Sequence, residues 1–131
     1  MRRSMRGIAL IEVLIAMLIF MFGILGLVGL QASVTRAETD SKGRTDATYL
    51  ASEIIGHMWA DIPNLANYNG GSCATTVACK EWQDKIAATL PGGTGSIVIN
   101  TSSAGNAVTV TVSWSGPGGQ SHQYVTNTFI V

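Results

Sequence analysis

Apolar positions fall in three patterns along the chain, and each predicts a different element. From Ile8 to Leu30 every residue except Glu12 is apolar or glycine. As a helix these 23 residues span roughly 35 Å at about 1.5 Å per residue, enough for a hydrocarbon core of about 30 Å. The run predicts a membrane-spanning helix. Over residues 31–62 the apolar positions thin to a stripe. Leu50, Ile54, Met58 and Ile62 recur at intervals of four, with Ala47, Ala51, Ile55 and Trp59 beside them. Arg36, Glu38, Asp40, Lys42, Arg44, Asp46 and Glu53 form the polar remainder. This predicts an amphipathic continuation of the same helix, packed on something. Gly43 weakens its middle. Pro63 ends it, because the residue before proline is pushed away from helical geometry. The stripe is too short for a heptad coiled coil.

Past Pro63 the helical period is lost. Residues 63–95 read as an irregular connection containing one short helix, Lys80 to Leu90, with Trp82, Ile86 and Leu90 at intervals of four. Pro91-Gly92-Gly93 closes that helix. From residue 96 to 131 the period becomes two. Ile97 alternates with Ile99, and Val108, Val110, Val112 and Trp114 alternate with Thr109, Thr111 and Ser113. Residues 122–131 predict a further strand with Val125, Phe129 and Val131 on one face. Ser103-Ala104-Gly105-Asn106 and Gly116-Pro117-Gly118-Gly119 are the turns. The fold class is α+β: an antiparallel meander laid across the stripe of residues 47–62, since neither buries its face alone. At 131 residues there is room for one small domain plus a membrane segment, not for two independent domains.

Charge adds a direction. Eight basic residues balance eight acidic ones, but Arg2, Arg3 and Arg6 precede the apolar run. The rest of the chain is mildly acidic and offers no basic face to nucleic acid. By the positive-inside rule the arginines stay cytoplasmic, which places the C-terminal part outside. In that oxidising compartment Cys73 and Cys79, the two cysteines of the chain, bond to each other. The loop of seven residues they close is worth roughly 2.4 kcal/mol on loop-entropy grounds. Two thiols without clustered histidines make no zinc set, and the spacing is not that of a redox C-x-x-C. His57 and Asp61, one turn apart, read as a solvated face, and His122 as structural. Gly92-Gly93-Thr94-Gly95-Ser96 lacks the lysine of a phosphate loop and reads as a turn. No catalytic constellation stands out, so neither an enzyme nor a cofactor is expected.

Two ordinary readings of the apolar run compete. A cleaved secretory signal has an apolar core of about 7–15 residues followed by a small-residue cut. This run is longer, and Leu30 is too bulky two residues before Ala32. A secreted enzyme released there would begin near Ser33 or Glu38. An uncleaved anchor is open on periodicity alone, but it has no need of Glu12. An ionisable side chain in an apolar helix costs on the order of a few kcal/mol, less near the interface.

The stretch Arg6-Gly7-Ile8-Ala9-Leu10-Ile11-Glu12-Val13-Leu14-Ile15-Ala16 resembles the leader junction of type IV pilins and pseudopilins. That family has a short basic leader ending in Gly, then an apolar residue, then Glu as the fifth residue of the mature chain. Ile8 and Leu10 depart from the Phe or Met and the Thr usual there. The resemblance implies a leader at 1–7, a transmembrane and filament-core helix at 8–30, and cleavage between Gly7 and Ile8 by a prepilin peptidase. It also implies N-methylation of Ile8 and pairing of Glu12 with the N-terminus of a neighbouring subunit. The implied partners are other major and minor pilins, the inner-membrane assembly platform and the lipid bilayer. The implied location is the inner membrane, single-pass with the C-terminal domain periplasmic, and then the pilus at the cell surface. Gly23, Gly26 and Gly29 allow two readings. One is close helix packing through small residues. The other is a local weakness of about 1 kcal/mol per glycine, where many major pilins carry a proline.

The order of helix, variable loop and sheet also resembles the family. Cys79, Trp82, Leu90-Pro91-Gly92-Gly93 and Val108-Thr109-Val110-Thr111-Val112-Ser113-Trp114 resemble the PilV-type minor pilins most. The function this implies is that of a minor pilin aiding initiation, assembly or modification of a type IV pilus. The alternatives are a minor pseudopilin of a type II secretion system, or a membrane-anchored periplasmic binding module with no filament.

Overall fold

Ser4–Ala60 forms one α-helix, α1, in the computed structural model, which describes residues 4–131. Arg2 and Arg3, in the segment expected to be a leader, lie outside the described residues, as do the side chains of residues 4–6, 71 and 72. The chain divides into two units, Met1–Glu38 and Thr39–Val131. In the first unit the described residues are all α1. No break marks Gly23, Gly26 or Gly29, and nothing lies within 4 Å of a Cβ built on any of them.

The second unit begins with the amphipathic part of α1. Ala47, Leu50, Ala51, Ile54 and Met58 are all at most 1% exposed. Their spacing of three and four puts them on one helix face. Burying a Leu, Ile or Met side chain is worth about 1.5–3 kcal/mol, so this face stabilises the unit substantially. The stripe stops sooner than its period suggests. α1 ends at Ala60, and Trp59 and Ile62 are 45% and 38% exposed. Pro63 does not terminate α1 but opens the next element, a 3-10 turn over Ile62–Tyr68, where a missing N–H costs nothing. Asp61 fixes that corner. Its carboxylate accepts hydrogen bonds from Asn64 Nδ2 at 2.8 Å and from the Tyr68 hydroxyl at 3.3 Å.

A second 3-10 turn, Gly70–Thr75, leads into α2, Val77–Thr89. This helix starts three residues before the expected Lys80 and carries Cys79, Trp82 and Ile86 into the core. Three antiparallel strands follow in the order β1-β2-β3: β1 Thr94–Ser102, β2 Gly105–Ser115 and β3 Ser121–Ile130. β1 takes in Thr94 and Gly95, which the sequence assigned to a turn. The reason is contact: a Cβ on Gly95 would lie 2.5 Å from Trp82 Cη2 and 2.6 Å from Ile86 Cδ1. Only glycine lets α2 pack this tightly on the strand.

Ile97 and Ile99 pair with Val110 and Val108 across β1 and β2, and all four face the core with Val112 and Trp114. Val125, Phe129 and Val131 do share a face, but it is the outer one, where they are 46%, 47% and 76% exposed. The inner face of β3 presents His122, Tyr124, Thr126 and Thr128, half-buried, and Ile130, fully buried. The chain is therefore α+β, with an amphipathic helix packed on a three-stranded antiparallel sheet.

Candidate functional site: a lone carboxylate in an apolar helix

Between Gly7 and Thr35 Glu12 is the one charged residue. It lies on α1, one helical turn beyond Ile8, and is exposed, as is Ile8 itself at 65%. Gly7 has nothing within 4 Å of a built Cβ. The three residues of the proposed junction thus lie on one helix, open to whatever surrounds it. Around them the surface is apolar on every side. The large apolar side chains from Ile8 to Val34 are 45–73% exposed. A helix apolar all round is stable only in a bilayer or against other helices. This segment is long and apolar enough to cross a membrane.

In the second unit Cys73 and Cys79 form a disulfide with Cα atoms 5.2 Å apart, and both are buried. The bond ties the 3-10 turn at Gly70–Thr75 to the first turn of α2. Beside it Trp82 donates from Nε1 to the Leu50 carbonyl at 2.8 Å, which holds α2 on α1 within this unit. Lys85 reaches Glu53 at 2.7 Å and lies over the Tyr49 ring at 5.4 Å. The hydrogen bond to Glu53 holds the Lys85 ammonium above its ordinary pKa. Glu53, His57, Ala78, Glu81, Trp82 and Lys85 line a cleft of about 140 Å³. That is well below the roughly 300–1,000 Å³ of small-molecule sites.

Two local arrangements lack a sequence signal. His57 and Asp61 do not act together: His57 lines the cleft, while Asp61 binds Asn64 and Tyr68. Burial first, and then the Asp61 charge and hydrogen bond, raise the Tyr68 phenol above its ordinary value. His122 stacks on Trp114 with ring centroids 5.7 Å apart, and its Nε2 lies 3.7 Å from Asp40 Oδ1. Two glycines make room for this stack. A Cβ on Gly43 would lie 2.8 Å from Trp114 Nε1, and one on Gly116 2.5 Å from His122 Nε2. Gly43 is thus a packing glycine inside an unbroken helix.

No protein-family model, no curated protein and no solved structure matches the chain. The long apolar N-terminal helix, the small antiparallel sheet and the disulfide are together compatible with a pilin-like fold.

Proposed function

We propose that the chain is a minor pilin of a type IV pilus, cut after Gly7 by a prepilin peptidase and built into the filament to aid its initiation, assembly or modification. The observation that carries this reading is Glu12, the one charge on a helix whose apolar surface is otherwise uninterrupted from Ile8 to Leu30. Cleavage creates an ammonium at Ile8. Glu12 lies four residues further, about 6 Å along the axis. Its own N-terminus is therefore offset from it, whereas a neighbour shifted along the filament can bring its terminus level with the carboxylate. In hydrocarbon an unpaired carboxylate is costly, and pairing it fixes the register in which a subunit enters. N-methylation of Ile8 keeps the positive charge.

A PilV-type subunit is the finer reading. It is supported by the run from Cys79 through Trp82 to Leu90-Pro91-Gly92-Gly93, and by the strand ending at Trp114. Before assembly the chain sits in the inner membrane with its C-terminal domain in the periplasm. It works stoichiometrically with other major and minor pilins and the assembly platform, and it catalyses nothing. The reading is tested with Glu12→Ala and Glu12→Gln in cells that make the filament. Both variants should be processed and retained in the membrane, yet be depleted from sheared filaments by about tenfold or more, a factor worth about 1.4 kcal/mol. Incorporation at the parental level would refute the role given to Glu12.

A further inference from the structure

Three elements meet around one oxygen atom. Asp40 Oδ1, on α1, is shut off from solvent and has no hydrogen-bond partner, although the side chain as a whole is 42% exposed. His122 Nε2, on β3, lies 3.7 Å from it, within ion-pair range but short of a hydrogen bond. The backbone of the β2–β3 turn closes over both. A Cβ on Gly116 would lie 3.3 Å from Asp40 Oδ1 and 2.5 Å from His122 Nε2, so only glycine leaves this gap open. A buried carboxylate oxygen left without a donor costs stability, and more than a neutral group would.

His122 is the one group placed to supply that donor. No Asp, Glu, Lys or Arg occurs from Ile86 to Val131, so β2, β3 and the turn between them bring no other charged side chain. Tyr124, two residues along the same face of β3, is a phenol, and phenols stay neutral where imidazole titrates. On α1, Lys42 and Asp46 line a hollow with Thr89, Leu90 and Pro91. Glu38 is exposed, as are Arg36 and Arg44, four residues to either side of Asp40, and neither arginine forms an ion pair among the described residues. The surroundings of His122 also favour a cation. Its ring stacks on Trp114 with centroids 5.7 Å apart, and an indole face attracts positive charge. Partial burial opposes charging, but at 20% exposure water still reaches the side chain.

We infer that His122 and Asp40 form a proton-operated latch between β3 and α1, at the start of the compact unit Thr39–Val131. With His122 neutral, the buried oxygen stands unpartnered at 3.7 Å. When His122 takes a proton from solvent, both ring nitrogens become donors, so no tautomer has to be selected. A closure of roughly 1 Å then turns the contact into a charge-assisted hydrogen bond. Closed, the latch holds Asp40, and with it Gly43 one turn further on, against Trp114. Open, packing alone holds these turns. Acidification thus tightens α1 where it enters the unit. The stabilisation is complete below the ordinary imidazole range and is lost as pH rises through it, about pH 6.5. This inference does not depend on the pilin reading.

The test is urea unfolding of the full chain in mild detergent micelles at pH 7.5 and pH 5.5, for the parent, Asp40→Asn, His122→Gln and the double variant. Between the two pH values the folding equilibrium constant of the parent should rise about threefold or more relative to Asp40→Asn. The factor is modest because both side chains still touch water. His122→Gln should lose the same relative gain, and the double variant should lose no more than either single one. His57 titrates in all four chains and cancels. A packing role alone for His122 would shift stability equally at both pH values. Asp40→Asn leaves the stack on Trp114 in place, so it carries the test if His122→Gln does not fold. Amide exchange over Asp40–Ala47 gives a local readout: protection should rise on acidification in the parent and not in Asp40→Asn. A difference between parent and Asp40→Asn that is the same at both pH values, or additive losses in the double variant, would overturn the inference. So would equal protection of that segment in both chains.

Discussion

Gly43 and Gly56 lie on the same helix, and alanine at each should move stability in different ways. Gly56 is exposed, with nothing within 4 Å of a built Cβ. Alanine there gains the helix-propensity difference alone, about 0.8–1 kcal/mol. For a unit of this size that raises the melting temperature by about 4–8 °C. Gly43 is buried, and a Cβ would lie 2.8 Å from Trp114 Nε1 and 3.4 Å from Cε2. Trp114 has nowhere to retreat. It is 5% exposed and stacked on His122, whose ring is pressed against the backbone at Gly116. Overpacking of this kind costs about 1–3 kcal/mol and outweighs the propensity gain. Gly43→Ala should therefore be neutral to about 2 kcal/mol less stable than the parent. It should fall about 1–3 kcal/mol below Gly56→Ala. Urea unfolding of the full chain in micelles, followed by tryptophan fluorescence, measures both. If the two variants are equally stabilised, Trp114 does not rest on α1 at Gly43 and the stack described here is wrong.

Other consequences can be checked in the same preparation. Reducing the Cys73–Cys79 disulfide, or replacing both cysteines with alanine, should remove at least about 2.4 kcal/mol, since the bond closes a short loop and both residues are buried. An unchanged urea midpoint would contradict that role. The Tyr68 phenol has its pKa raised by burial and by Asp61, so its contribution is intact below its ordinary value of 10.0 and is lost as pH rises through the higher folded value. Between about pH 9 and pH 11 the parent should lose more stability than Tyr68→Phe, and parallel losses would refute the assignment. Asn69→Ala strips the acceptor from the Ile99 amide, at a cost of about 1 kcal/mol. Exchange of that amide should quicken about fivefold, and an unchanged rate would show that Asn69 does not close the β1 edge.

The helical stripe was legible because Ala47, Leu50, Ala51, Ile54 and Met58 follow the helical period, and that face meets the sheet. The period could not show that the chain turns at Asp61, where a carboxylate captures Asn64 and Tyr68 and leaves Trp59 and Ile62 outside. α2 was placed by Trp82, Ile86 and Leu90, but its first turn was hidden because Val77 is 72% exposed and carries no core signal. Alternation grouped Val125, Phe129 and Val131 correctly on one face. A period of two does not say which face meets the core, and here the helix covers the other one. The packing of Gly43 on Trp114, and of Gly95 on Trp82, joins residues distant in sequence and leaves no local pattern. Glu12 was the most legible position of all, a charge in an apolar run, because its cost in hydrocarbon is local physics.

In the proposed role the apolar helix is a processed assembly element rather than an anchor or a secretion signal. Intact mass and N-terminal sequencing of the chain recovered from membranes of cells with an active prepilin peptidase test it most directly. The expected result is a chain beginning at Ile8 with one added methyl group on its amine. A chain that retains Met1, or one that begins beyond Leu30, would contradict it.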